Sequence, residues 1–223
     1  MTIAQQIQII HNELPPHTRL IAVSKFHPAE TIMEAYNAGQ RIFGESKVQE
    51  LTEKYEVLPK DIEWHFIGHL QTNKIKYIAP FVSMIHSVDS INLLQEINKQ
   101  GEKIGRIINV LLQIHIAKEE TKYGFSEQEC LNFLDSEIHK TLNHINICGL
   151  MGMATFTEDM GIVRSEFKNL HSFFNQLKQT FFSSECNFKE LSMGMSEDYH
   201  EAIAEGSTLV RIGSKIFGER QYY

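Results

Sequence analysis

KELSMGMSEDYHEAIAEGSTLVRIGS, residues 189–214, holds one complete strand–helix–strand step. Lys189 to Met193 is a short apolar run, weak by itself. Ser196 followed by Glu197 and Asp198 predicts a helix start, because acids suit the positive end of a first turn. Tyr199, Ala202 and Ile203 fall on one side of that helix, and Gly206 is placed to end it. Thr208 to Gly213 is the second strand. A parallel strand pair joined by a helix is the building unit of α/β folds.

Outward from this step, the same alternation recurs toward the N-terminus. Strands are predicted at Arg19–Ser24, Arg41–Phe43, Trp64–Ile67, Ser83–Ser87, Arg106–Ile114 and Ile145–Met151. Their apolar residues do not alternate cleanly, which suits strands covered on both faces. Helix punctuation fills the intervals. Ser90 is placed to cap a helix carrying Leu94 and Ile97, and Ser126 with Glu129 forms a capping box. Met160 to Phe182 is predicted as one helix with Phe167, Leu170, Phe174 and Leu177 on its inner stripe. Such a pattern fits a closed (β/α)8 barrel or an open doubly wound sheet. No GxGxxG follows the first strand, which removes the main support for the open sheet. The expected architecture is a single (β/α)8 TIM-type barrel over residues 1–223, with an extra N-terminal helix before Arg19.

Composition narrows the function. The chain has 223 residues, 42% hydrophobic and 22% charged, with a formal net charge of -7. An acidic surface argues against nucleic acid or an anionic membrane as partner. Cys130, Cys148 and Cys186 form no CxxC pair, so free thiols in a reducing compartment are expected. The N-terminal stretch lacks a signal-peptide pattern, and no apolar run is long enough to span a membrane. The expected location is therefore cytoplasmic, and the expected state a monomer. Eleven histidines suggest a metal, but no HExxH or other ligand spacing is present. His65, within the third strand, and His69, just after it, are read as satisfied polar groups or loop residues rather than ligands.

Reactive residue types gather just after the strands, which in a barrel is the rim where sites are built. Lys25 follows the first strand; partial desolvation there would free its amine for Schiff-base chemistry. SMGMS (192–196) and VRIGS (210–214) follow the seventh and eighth strands, where barrels commonly hold a phosphate. Glycine lets backbone N–H groups approach an anion, and Ser196 and Ser214 add hydroxyls at predicted helix starts.

The blocks AVSKFHP (22–28), RIFGESKVQE (41–50), WHFIGHLQTNK (64–74), KYGF (122–125), GLMGM (149–153), LSMGMSEDYHEAI (191–203) and GSTLVRIGSKIFGER (206–220) occur together, in that order. As a set they resemble the pyridoxal phosphate homeostasis protein family, over about Arg19 to Arg220. The resemblance implies a barrel similar to the N-terminal domain of alanine racemase, with pyridoxal 5′-phosphate (PLP) as cofactor. It implies Lys25 as the Schiff-base lysine, with Ser196, Gly213 and Ser214 holding the phosphate. Arg211 would lie near the cofactor, and Met151 and Met153 would line the ring's pocket. The implied role is PLP binding in vitamin B6 homeostasis rather than catalysis, with PLP-dependent apoenzymes as recipients. Ser46 and Lys47 depart from the family's usual Asn-Tyr, His69 stands where proline is common, and Ser214 replaces threonine.

Two other readings stand beside this one. A PLP-dependent amino-acid racemase would need a second base; in alanine racemase a tyrosine of a separate domain supplies it, and here only Tyr222 and Tyr223 follow the barrel. A phosphate-substrate barrel enzyme would need a carboxylate base at a strand end, for which Glu45 is the candidate.

Overall fold

The computed structural model describes residues 1–119 and 123–218. Lys122 of the KYGF block, Glu219 and Arg220 of the last block, and Tyr222 and Tyr223 lie outside the described residues. The strands are β1 (Arg19–Val23), β2 (Ile42–Glu45), β3 (Glu63–Phe66), β4 (Met84–Val88), β5 (Ile108–Gln113), β6 (Ile145–Met151), β7 (Glu190–Met195) and β8 (Leu209–Ile212). They form a closed barrel in sequence order, and every pairing is parallel. The expected (β/α)8 architecture is the observed one. Closure pairs Leu20 with Val210, Ile21 with Arg211 and Ala22 with Ile212.

Helices α1 (Ile3–Glu13), α2 (Ala29–Asn37), α3 (Val48–Val57), α4 (Ile75–Ile78), α5 (Ile91–Ile104), α6 (Glu127–Asp135), α7 (Met160–Thr180), α8 (Tyr199–Ala204) and α9 (Ser214–Phe217) follow in chain order. The extra helix is α1, which opens on a Thr2–Gln5 capping box. Ser90 caps α5 by accepting from the Leu93 N–H, and Ser126 and Glu129 form the box that opens α6. Each such cap is worth about 0.5–2 kcal/mol. The stripe of α7 is buried, Phe167, Leu170, Phe174 and Leu177 included.

Strand periodicity sorts side chains into two cores. Leu20, Ala22, Phe43, Trp64, Phe66, Ile85, Leu191 and Val210 belong to the large core that the helices cover. Ile21, Ile42, Met84, Leu111, Cys148, Met151 and Leu209 form a smaller cluster inside the barrel. In β6 the phase slips: the β5–β6 register shifts between Val110 and Leu111. Ile147 and Leu150 lie in the outer core, Cys148 and Met151 in the inner one. Inward residues are thus three apart there rather than two, the signature of a bulge.

Gly149 makes this slip possible. Its φ is +148°, and a Cβ there would stand 1.8 Å from the Glu190 carbonyl oxygen. Gly149→Ala is therefore expected to cost about 2–3 kcal/mol, measured as a lower midpoint in a urea titration. An unchanged midpoint would mean that β6 and β7 are not held at this separation.

Candidate functional site

The loops after β1, β7 and β8 meet at one rim around a cavity of about 320 Å³, a volume suited to a small cofactor. Lys25, Met153, Ser196, Arg211, Gly213 and Ser214 all line it. Met151 does not: it is 1% exposed and lies below, in the inner cluster. The bulge in β6 turns it inward and leaves Met153 to face the cavity.

Lys25 is held from both sides by a cluster of charges outside the barrel. Ser24 is fully buried, and its hydroxyl donates to Glu45 Oε1 at 2.6 Å. Lys54 of α3 donates to the Ser24 carbonyl at 2.9 Å, to Glu45 Oε1 at 2.7 Å and to Glu50 Oε1 at 2.6 Å. Glu50 also accepts from the Phe26 N–H at 2.6 Å. Phe26 has φ +67°, a left-handed conformation that costs a non-glycine residue about 1–2 kcal/mol. The charge-assisted bond from Glu50 offsets that cost. Both neighbours of Lys25 are thereby fixed by side chains of β2 and α3.

This placement corrects the reading of Glu45 as a general base. Glu45 sits on the outward face of β2, against Lys54, and is not among the residues lining the cavity. Among the described residues, its Oε2 has no hydrogen-bond partner, and it is buried. Burial pushes its carboxyl up to about 7, against the opposing pull of Lys54 and Ser24.

On the other side of the cavity, Ser196 ties the β7 and β8 loops together by accepting from the Gly213 N–H at 3.3 Å. Gly213 lies so close to β1 that a Cβ would stand 3.0 Å from the Val23 carbonyl oxygen. Ser214 opens α9 as expected, but the other helix start differs. Ser196 lies in a turn, and α8 begins at Tyr199 with Asp198 as its cap. Asp198 turns its carboxylate back instead, accepting from the Met195 N–H at 2.5 Å. With α8 six residues long and α9 four, helix dipoles contribute little here. Hydroxyls, backbone N–H groups and the Arg211 cation remain as the anion-binding chemistry. Arg211 is buried; desolvation lowers its pKa to about 10, against the pull of Asp198, so it is charged at neutral pH.

Several walls of the cavity escaped the sequence reading. Ser46, Asp198 and His27 line it. Burial, then Lys54, holds the His27 imidazole below the usual histidine range. Thr155 lies in a segment pinned by the buried Glu166, which accepts from its N–H and its hydroxyl at 2.7 Å each. In the same segment Phe156 is 92% exposed beside the cavity. Among the described residues, no group of three or more His, Cys, Asp or Glu side chains is placed to hold a metal. No helix among them is long and apolar enough to cross a membrane.

A closed parallel barrel with a lysine after its first strand and paired serine loops after its last two defines a class. The family described as "Alanine racemase, N-terminal domain" matches residues 1–221. A solved alanine racemase of Clostridium difficile 630 shares that fold, with a TM-score of 0.72 at 15% identity, over 99% of this chain and 56% of its own. Nearer relatives narrow the class. A pyridoxal phosphate homeostasis protein of Aquifex aeolicus is 40% identical over 205 residues, covering 92% of this chain and 88% of its own. PipY of Synechococcus elongatus, solved with PLP bound, superposes with a TM-score of 0.88 at 36% identity, over 97% of this chain and 100% of its own. This chain belongs to the pyridoxal phosphate homeostasis protein family.

The charge cluster behind Lys25 gives stability a pH dependence. The folded chain holds the Glu45 proton up to about pH 7, whereas an ordinary glutamate loses it near 4.5. The folded state binds more protons between those values, so stability falls as pH rises through that window. Glu45→Gln is expected to flatten this fall, read from urea titrations at about pH 5 and 7.5. Lys54→Met, which leaves Glu45 and Glu50 without their shared donor, is expected to cost about 3–5 kcal/mol. Equal pH slopes in wild type and Glu45→Gln would contradict the assignment.

Proposed function

We propose that this chain is a single barrel domain that binds PLP at the upper rim and takes part in vitamin B6 homeostasis. In this reading the Lys25 amine condenses with the cofactor's aldehyde: a C=N bond replaces C=O and water leaves. When bound, the cofactor supplies an electrophilic carbon and an electron-withdrawing ring. The chain's own residues bind and orient it. Ser196 and Ser214 donate to the phosphate, Gly213 brings backbone close to it, and Arg211 supplies positive charge at the floor. Met153 faces the ring, with Met151 packed beneath.

One observation carries the reading: a single cavity gathers an amine, the serine hydroxyls of the β7 and β8 loops and a buried guanidinium, the donor set that an aldehyde and a phosphate monoester require. The PLP-bound structure of PipY supports it. Borohydride reduction of the PLP-loaded protein, followed by peptide mapping, is expected to trap the label on Lys25. Label found only on other lysines would overturn the assignment.

The phosphate contacts have a magnitude. Hydrogen bonds to a charged group are worth on the order of 1.5–3 kcal/mol, and about 1.4 kcal/mol is tenfold in affinity. Ser196→Ala is expected to weaken PLP binding by roughly tenfold or more, measured by titration. Unchanged affinity in both Ser196→Ala and Ser214→Ala would remove these loops from the site.

Holding and releasing PLP for apoenzymes that require it, rather than turning over amino acids, is the role we assign. Relatives named as homeostasis proteins support this. A coupled assay of L- to D-alanine interconversion is expected to show no Lys25-dependent turnover. Turnover of roughly 1–10³ s⁻¹, lost in Lys25→Ala, would favour the racemase.

A further inference from the structure

Barrel interiors are ordinarily filled by bulky apolar side chains. Here a polar chain crosses the interior. His65 of β3, His86 of β4, Ser192 of β7 and Arg211 of β8 are all buried, and their strand neighbours Trp64, Phe66, Ile85, Leu191, Val210 and Ile212 face the outer core. Groups so deeply desolvated need partners, and they find them in one another. Arg211 donates through Nη1 to Ser192 Oγ at 2.6 Å and through Nη2 to the Gly152 carbonyl at 3.0 Å. His86 Nδ1 lies 3.0 Å from Ser192 Oγ, and its Nε2 lies 2.9 Å from His65 Nδ1.

Proton counting gives the chain a direction. A guanidinium only donates, so Ser192 Oγ accepts from Arg211. Among the described residues, the other side-chain partner of Ser192 Oγ is His86. The single Ser192 hydroxyl hydrogen therefore goes to His86 Nδ1; the reverse arrangement would bury that hydrogen without an acceptor. His86 then carries its proton on Nε2 and donates it to His65 Nδ1, which puts the His65 proton on Nε2. Each ring is neutral. Burial and Arg19 hold His65 down to about 3, and burial, His65, Arg211 and Arg19 hold His86 well below the usual histidine range. The charged groups facing the chain are Arg211 at its upper end and Arg19, Glu63, Lys189 and Glu190 around the cavity that His65 lines at the opposite mouth.

We propose that His86, backed by His65, is a positioning residue: through Ser192 it fixes the Arg211 guanidinium at the floor of the cofactor pocket. With the Ser192 hydrogen committed to His86, the serine presents a lone pair to Arg211 and the cation is oriented before any ligand arrives. The naming of the pocket's ligand rests on the function proposed above; the one-way chain does not.

The experiment has two arms for that reason. In ligand-free protein with 15N-labelled histidine, His65 and His86 are expected to show bare Nδ1 and protonated Nε2 by NMR, without titrating between about pH 5 and 8. In Ser192→Ala the His86 tautomer is expected to change. A protonated Nδ1 on His86 in the wild type, or an unchanged His86 in Ser192→Ala, overturns the chain. In the second arm, His86→Leu is expected to weaken PLP binding about tenfold and to shift the visible band of the loaded protein. His86→Asn, which keeps a polar atom near the Nδ1 position, is expected to recover most of both. A His86→Leu protein identical to wild type in affinity and spectrum overturns the positioning role. A wild type that binds no PLP sinks the proposed function, and the first arm still decides the chain.

Discussion

Closure of the barrel between β1 and β8 is the contact on which the site depends. These strands lie at opposite ends of the fold's sequence, yet they pair from Arg19–Leu209 to Ala22–Ile212. Two side contacts lock the seam: Arg19 N–H donates to the Thr208 carbonyl at 2.9 Å, and the Thr18 hydroxyl to the Ser207 carbonyl at 2.8 Å. The register then places Lys25 just beyond one strand end and Gly213 and Ser214 just beyond the next. Gly213 lets the two loops approach closely, since a Cβ there would crowd the Val23 carbonyl oxygen at 3.0 Å. The amine and the serine loops share a cavity because the sheet closes at this register.

Charge near the cavity is handled by two separate arrangements. Outside the barrel, Lys54 bridges Glu45 and Glu50; Lys54 holds the Ser24 carbonyl and Glu50 the Phe26 N–H, the backbone on either side of Lys25. Inside, the Arg211 cation is satisfied by Ser192 and by the Gly152 carbonyl, with Asp198 near enough to favour its charge. Leaving a buried charge without its partners is costly, so both arrangements favour a single geometry at the rim. Phe156, a strongly exposed apolar side chain, lines the cavity from the segment pinned by Glu166.

Much of this was legible in the residues. Strand positions followed from short apolar runs, and Ser90 and Ser126 from capping chemistry, because both signals are local. Lys25, Ser196, Gly213 and Ser214 were legible because strand ends in a closed parallel barrel share one rim. What escaped depends on register. Met151 turned inward because a bulge at Gly149 changes the phase of β6, and alternation in the sequence carries no mark of a bulge. Glu45 stood at a strand end like a catalytic acid, but the parity of β2 points it at α3. The sequence marked His65 as a satisfied polar group, yet its partner His86, on the next strand, could be named only once the pairing of β3 with β4 was known. The helix expected at Ser196 starts three residues later, because Asp198 folds back on Met195 before the chain turns helical.

The central claim is that Lys25 and the serine loops form one PLP site. A visible absorption titration of the purified, PLP-free protein tests it most directly, with Lys25→Ala beside the wild type. The expected result is a new band, distinct from free PLP, that saturates at one cofactor per chain in the wild type and is absent in Lys25→Ala. A spectrum equal to the sum of protein and free PLP, or a band that persists unchanged in Lys25→Ala, would contradict the account.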